Sequence, residues 1–95
     1  MKIADLKVGM KGITINAKVV KKLEERNVRN KRGRLVRLAK FIISDDSGTI
    51  ILILWGRDIE KVNVGDVIKI ENGYVNEFRG EIQITLGRFG KIEKL

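Results

Sequence analysis

Between residues 26 and 37 the chain places Arg26, Arg29, Lys31, Arg32, Arg34 and Arg37, with no acidic residue among them. Most are arginine, whose planar donor fork suits phosphate oxygens and stacks on flat rings. Cations this close repel one another unless an anion joins them, so the run points to a polyanionic partner. Its plainer reading is a solvated hairpin. A second constellation is aromatic: Trp55-Gly56-Arg57, Gly73-Tyr74 and Phe78-Arg79-Gly80 each set a ring beside a glycine or a cation. Phe41, by contrast, precedes Ile42-Ile43 as a core ring should. Phe78 is flanked by Asn76, Glu77 and Arg79, which makes its burial hard to arrange. Such rings can stack the bases of a single strand while neighbouring cations follow the phosphates. Buried, the same rings would be core, and pattern alone leaves both readings open for Trp55 and Tyr74.

Other chemistry is largely excluded by composition. Cysteine and histidine are both absent, which removes thiolate nucleophiles, zinc-cysteine sites and the usual acid–base group near neutral pH. No glycine-rich phosphate loop of the Walker type occurs. The adjacent carboxylates Glu24-Glu25 and Asp45-Asp46 fall at a loop edge and in a turn, where they form no metal cage. The chain is therefore expected to be no enzyme and to need neither cofactor nor metal. Twenty basic residues against twelve acidic ones leave a formal charge of +8, which favours nucleic acid, an anionic surface or an acidic protein. No run of about 18 apolar residues is present to span a membrane. The start, MKIADLKVGM, lacks the apolar stretch of a signal peptide. A cytoplasmic, nucleoid-associated location is expected, or a nuclear one in a eukaryote.

The elements that must position these residues are short strands. Ninety-five residues make one domain, 1–95. Ile13, Ile15, Ala17 and Val19 alternate with polar residues and predict the first strand. The stretch 24–34 is polar, basic and glycine-containing, and predicts a long loop, with the basic hairpin loop taken as 26–37. A second strand is expected over 35–44. Asp45-Asp46-Ser47-Gly48 reads as a tight turn, with Gly48 at positive φ. The third strand runs 49–55, one helical turn spans 57–62, the fourth strand starts near Asp66, and the fifth covers 81–86. Together these predict an all-β, five-stranded OB-fold Greek-key barrel with a short helical turn between strands three and four. On strand three, Ile50, Leu52 and Leu54 share one face, which leaves Ile51, Ile53 and Trp55 as an apolar stripe on the other. Simple alternation on strand four groups Tyr74 with Ile68 and Ile70 inside. Only a bulge at Asn72-Gly73 would turn it outward.

The ordered blocks DDSGTIILILWG and VGDVIKIENGYVNEFRGEIQI resemble the simple single-OB single-stranded DNA-binding proteins of archaea. They are similar also to the eukaryotic counterparts and, more distantly, to replication protein A domains. The resemblance spans about residues 3–92. It implies that Trp55, Tyr74 and Phe78 are the base-stacking trio, with Tyr74 on the outer face. It also implies that the loop 26–37 closes over the strand and that 75–80 is a second jaw. Arg57 and Arg79, beside stacking residues, are then phosphate contacts like the six cations of the basic run. Members commonly carry a glycine-rich or acidic tail, so a tail-less form or a trimmed chain is expected here. Outward Ile51 and Ile53 replace positions often polar in relatives, which implies apolar contact with bases or a face covered by a second subunit.

The function these readings imply is sequence-tolerant binding of single-stranded DNA in replication, recombination or repair. Two rivals share the same residues. One is an RNA-binding OB module of the anticodon-binding kind. The other is an adaptor whose Ile51, Ile53 and Trp55 stripe docks a protein partner or a second copy.

Overall fold

The computed structural model describes residues 1–95. Five strands, β1 (Ile13–Arg29), β2 (Leu35–Asp45), β3 (Gly48–Trp55), β4 (Val67–Phe78) and β5 (Glu81–Lys94), close into a barrel in the order β1-β2-β3-β5-β4. Neighbours are antiparallel except β3 and β5. A 3-10 turn, Gly56–Lys61, bridges β3 and β4 where the sequence predicts a helical connector. Alternation decides which side chains fill the barrel. Ile13, Ile15, Ala17 and Val19 of β1 are buried, as are Ile50, Leu52 and Leu54 of β3, and they meet Phe41, Ile68 and Ile84 in one core.

β1 is long enough to serve both sides of the barrel. Its first part pairs with β4 through Ile13 to Lys18, and its remainder pairs with β2 through Lys18 to Arg29. Two register shifts, at Val20 and Leu23, bend it between these duties. A bulge leaves its extra residue unpaired and increases local twist, so Val20 and Leu23 point into solvent.

Four sequence expectations are corrected here. The stretch 24–34, and with it most of the basic loop 26–37, is ladder: Arg26 pairs with Leu38, Asn27 with Arg37 and Arg29 with Leu35. Only residues 30–34 form the tip, where Asn30 Oδ1 accepts from the backbone nitrogens of Arg32 at 2.9 Å and Arg34 at 3.0 Å. Second, the jaw expected over 75–80 is strand as far as Phe78 and closes through a two-residue turn. Arg79 at φ 52 and Gly80 at φ 81 give that turn the left-handed pair whose twist suits a hairpin. Third, β5 continues past Leu86 to Lys94. Gly48, expected at positive φ, does not adopt it.

The turn between β2 and β3 anchors the N-terminus. Asp45 Oδ1 accepts from the Ser47 hydroxyl at 2.5 Å and the Ser47 nitrogen at 2.7 Å, while Oδ2 accepts from the Ile3 nitrogen at 2.9 Å. Ser47 Oγ in turn accepts from the Ala4 nitrogen at 3.0 Å. Ile3 and Leu6 thereby reach the core. The Ser47 hydroxyl bond, followed by the backbone donors of Ile3, Ser47 and Gly48, lowers the Asp45 carboxyl to about 2. A carboxylate with a depressed folded pKa stabilises the fold above its unfolded value, and that contribution fades as pH falls through the folded one. Asp45→Ala should cost about 1–3 kcal/mol near neutral pH. In thermal unfolding, its deficit against the unchanged protein should narrow between about pH 4 and pH 2.

Candidate nucleic-acid interface

Side chains that alternation turns out of the barrel line a groove of about 350 Å³ across its outer face. The register shows how it is built. Glu24, Lys40, Ile53, Thr85 and Tyr74 follow one another across β1, β2, β3, β5 and β4 as laterally paired residues. One step along, Arg26, Leu38 and Trp55 form the adjoining row. Paired residues share a face, so the β1–β2 ladder is a wall of the groove, with Arg26, Val28, Leu38 and Lys40 facing it. Trp55 and Phe78 border the same groove, 44% and 52% exposed.

Tyr74 reaches this face by a bulge. The β4–β5 and β1–β4 ladders both skip at Asn72, which sits at φ 54. Ile68 and Ile70 are inside before the skip; Gly73 and Val75 are inside after it, and Tyr74 points out at 36% exposure. Tyr74 opens mainly into a neighbouring hollow, with Lys11, Arg88 and Phe89. The structure thus gathers Trp55 and Phe78 in one groove and places Tyr74 beside it, one paired residue away from the Thr85 of its floor.

Ile53 belongs to that floor as well. It faces outward as parity requires, yet only 6% of it is exposed, at a position flanked by its paired residues Lys40 and Thr85 in the groove that Arg26, Val28 and Leu38 also line. Ile51 is half-buried beside Ile42 and Ile82. The open apolar stripe expected on β3 is therefore reduced to Trp55 and part of Ile51.

The cations divide into two sets. Arg79 lies 5.2 Å from the Phe78 ring centroid, and Arg57 opens the 3-10 turn directly after Trp55. Lys31, Arg32 and Arg34 sit exposed in the hairpin tip. Arg26 faces the groove, loosely held by Glu24 at 3.8 Å. Arg29 and Arg37 lie on the opposite face of the ladder from Arg26 and Val28. Arg29 donates to the Gly33 carbonyl at 2.8 Å. Arg37 is held by Glu60 at 2.9 Å and Glu25 at 3.7 Å, which ties the ladder to the 3-10 turn. Glu25 also accepts from Lys22, and that bond holds its carboxyl below the usual range.

Sequence reasoning missed the polar floor. Lys40 Nζ lies 3.7 Å from both Glu24 and Glu81. Buried Gln83 donates to Glu81 at 3.1 Å, and Thr85 donates to the Ile53 carbonyl at 3.1 Å. Asn76 presents a buried Oδ1 with no hydrogen-bond partner. The signal was available for Gln83 and Thr85, whose alternation with Ile82 and Ile84 already set them outside.

A model of the family described as single-stranded DNA binding protein Ssb-like, OB fold, matches residues 6–94. The chain belongs to this Ssb-like OB-fold family. It is one of binding proteins, not enzymes. The Ssb protein of Saccharolobus solfataricus is 31% identical over 91 residues, covering 96% of this chain and 61% of that protein. Replication factor A of Methanothermobacter thermautotrophicus is 39% identical over 100 residues, covering 97% of this chain but 12% of its own length. The chain thus spans less than two thirds of the curated relatives it matches. The OB domain of a Thermoplasma acidophilum protein superposes with a TM-score of 0.86 over the whole chain and 85% of that domain, at 21% identity. This last likeness shows the fold, an all-β closed sheet of five strands.

The bulge at Asn72 can be tested without a ligand. Asn tolerates the left-handed region, glycine takes it freely, and a β-branched residue does not. Asn72→Gly should leave stability within about 0.5 kcal/mol, whereas Asn72→Val should cost about 1–3 kcal/mol in denaturant unfolding.

Proposed function

We propose that the chain binds single-stranded DNA with little sequence preference, by stacking bases on Trp55, Tyr74 and Phe78 while arginine and lysine neutralise phosphate. The observation that carries this reading is the outer groove. Two half-exposed rings border a floor that mixes Ile53 with Gln83 and Thr85, Arg26 faces it, and Arg79 and Arg57 lie beside the two rings. Every base has a π-face, so ring stacking tolerates sequence, and it needs bases that are unpaired and free to reach the rings. Membership of the Ssb-like family and the names of its relatives support the same ligand, and a role in replication, recombination or repair. Arg26, Lys31, Arg32, Arg34, Arg57 and Arg79 are the phosphate contacts. Arg29 and Arg37 hold the hairpin in shape, since their guanidinium groups already have partners. Of the stripe that the adaptor reading needs, Ile53 is buried and Ile51 half-buried, which favours the strand-binding reading over it.

Calorimetric titration with a deoxythymidine oligomer tests this. Trp55→Ala and Phe78→Ala should each weaken binding by about 1–3 kcal/mol with thermal unfolding little changed. Unfolding of either variant at ambient temperature would make that ring core and overturn its role. Arg79→Asn keeps a residue that tolerates the turn's positive φ. It should make the logarithmic salt dependence shallower by about 0.7, the value of one phosphate contact on a single strand. Arg37→Gln should leave that slope unchanged, and a matched loss from both variants would contradict the division of the cations.

A further inference from the structure

Where the β4–β5 ladder skips from the Glu71–Lys91 pair to the Gly73–Leu86 pair, one residue of β4 faces four of β5. Those four, Gly87-Arg88-Phe89-Gly90, form a tight protrusion whose glycines are sterically required. A Cβ on Gly90 would lie 2.6 Å from Leu86 Cβ and 2.8 Å from the Gly87 nitrogen. One on Gly87 would lie 2.9 Å from the Asn72 carbonyl oxygen. The Asn72 amide donates to the Phe89 carbonyl at 3.4 Å. The protrusion holds Phe89 out at 79% exposure, above every other large apolar side chain.

What surrounds that ring identifies its ligand. The Arg88 guanidinium lies 5.5 Å from the Phe89 centroid. Phe89, Tyr74 and Lys11 share with it a hollow of about 400 Å³. Neither Arg88 nor Lys11 is engaged by a carboxylate. Arg88 also borders a smaller hollow with Trp55 and Thr85, so this site is continuous with the groove. Two rings with two unengaged cations repeat the composition of the groove itself. A base fits the rings and the flanking phosphates fit the cations, whereas an apolar protein segment would leave both charges unmatched.

We propose that Phe89, with Arg88 and Lys11, is a fourth stacking position, on which a single DNA strand continues after passing Tyr74. This rests on the single-stranded DNA reading above and lengthens its footprint. The strand runs from Phe78 and Trp55 across the Thr85 row to Tyr74 and then onto Phe89.

The test is a ladder of labelled deoxythymidine oligomers, from about 4 to about 16 nucleotides, the range of OB-fold site sizes. Fluorescence anisotropy compares the unchanged protein with Phe89→Ala, whose exposed position spares the core. The shortest oligomers that bind should bind both proteins equally. Affinity of the unchanged protein should rise further with length, and Phe89→Ala should lag by about 5- to 100-fold on the longest. In a Trp55→Phe/Phe89→Trp double variant, emission should be quenched by long oligomers and spared by the shortest. Equal affinity of both proteins at every length, with tight binding retained, would overturn the fourth position and leave the groove reading intact. So would a Phe89→Ala effect on self-association alone. Failure of the unchanged protein to bind any oligomer would overturn both.

Discussion

Asn72 holds a left-handed dihedral, and both faces of β4 depend on it. Before it, Ile68 and Ile70 point into the barrel; after it, Val75 does, although its offset from Ile70 is an odd five positions. Gly73 packs closely beside the skip, where a Cβ would lie 3.0 Å from Ile84 Cδ1 and 3.2 Å from Ile70 Cγ2. Tyr74 turns outward as the geometric consequence. On the β5 side the same skip extrudes residues 87–90, so one backbone constraint aims two rings at one hollow. Removing it would return Tyr74 to the core and Val75 to solvent, since a one-residue slip exchanges the faces of a strand.

Charge is sorted by the same alternation. A net +8 spread evenly would bind polyanions without orientation. Here the carboxylates near the ladder draw selected cations inward: Glu25 and Glu60 take Arg37, and Glu24 and Glu81 flank Lys40. Cations without a carboxylate partner include those of the hairpin tip, Arg57 and Arg79 beside the rings, and Arg88 on the β5 protrusion. Exposed ion pairs contribute little to stability, and those of this ladder serve chiefly to hold its shape. A strand laid along the groove meets stacking surfaces in the middle and positive charge at the rims.

Much of this was legible in the residues. Period-2 alternation located the core faces of β1 and β3, and the Asp45-Asp46-Ser47-Gly48 turn located the join between β2 and β3. The outward parity of Trp55 followed from Ile50, Leu52 and Leu54 alone. What stayed hidden had physical causes. The β1–β2 ladder beyond residue 24 buries neither face fully, so it carries no alternation and reads as loop. Ile53, which parity alone exposes, is buried at the floor of the groove between Lys40 and Thr85. The turn after Phe78 uses Arg79 at positive φ, where Asn-Gly or Asp-Gly would have been the readable signal. β5 seemed to end at Leu86 because four residues leave the ladder before it resumes at Lys91. Phe89 went unassigned for the same reason, since its neighbours are glycine and cation on a segment with no strand pattern.

The central claim is that the outer groove, with Trp55 at its edge, receives a single DNA strand. The chain has one tryptophan, so its fluorescence reports on that edge alone. Titration with a deoxythymidine oligomer, its ribo-counterpart and a duplex, at low and moderate salt, is the most direct measurement. Strong quenching by the single DNA strand is the outcome this account requires, weaker with RNA and duplex and relieved by salt. Emission that no oligomer alters, in a protein that still binds single-stranded DNA, would place the strand elsewhere on the barrel and contradict it.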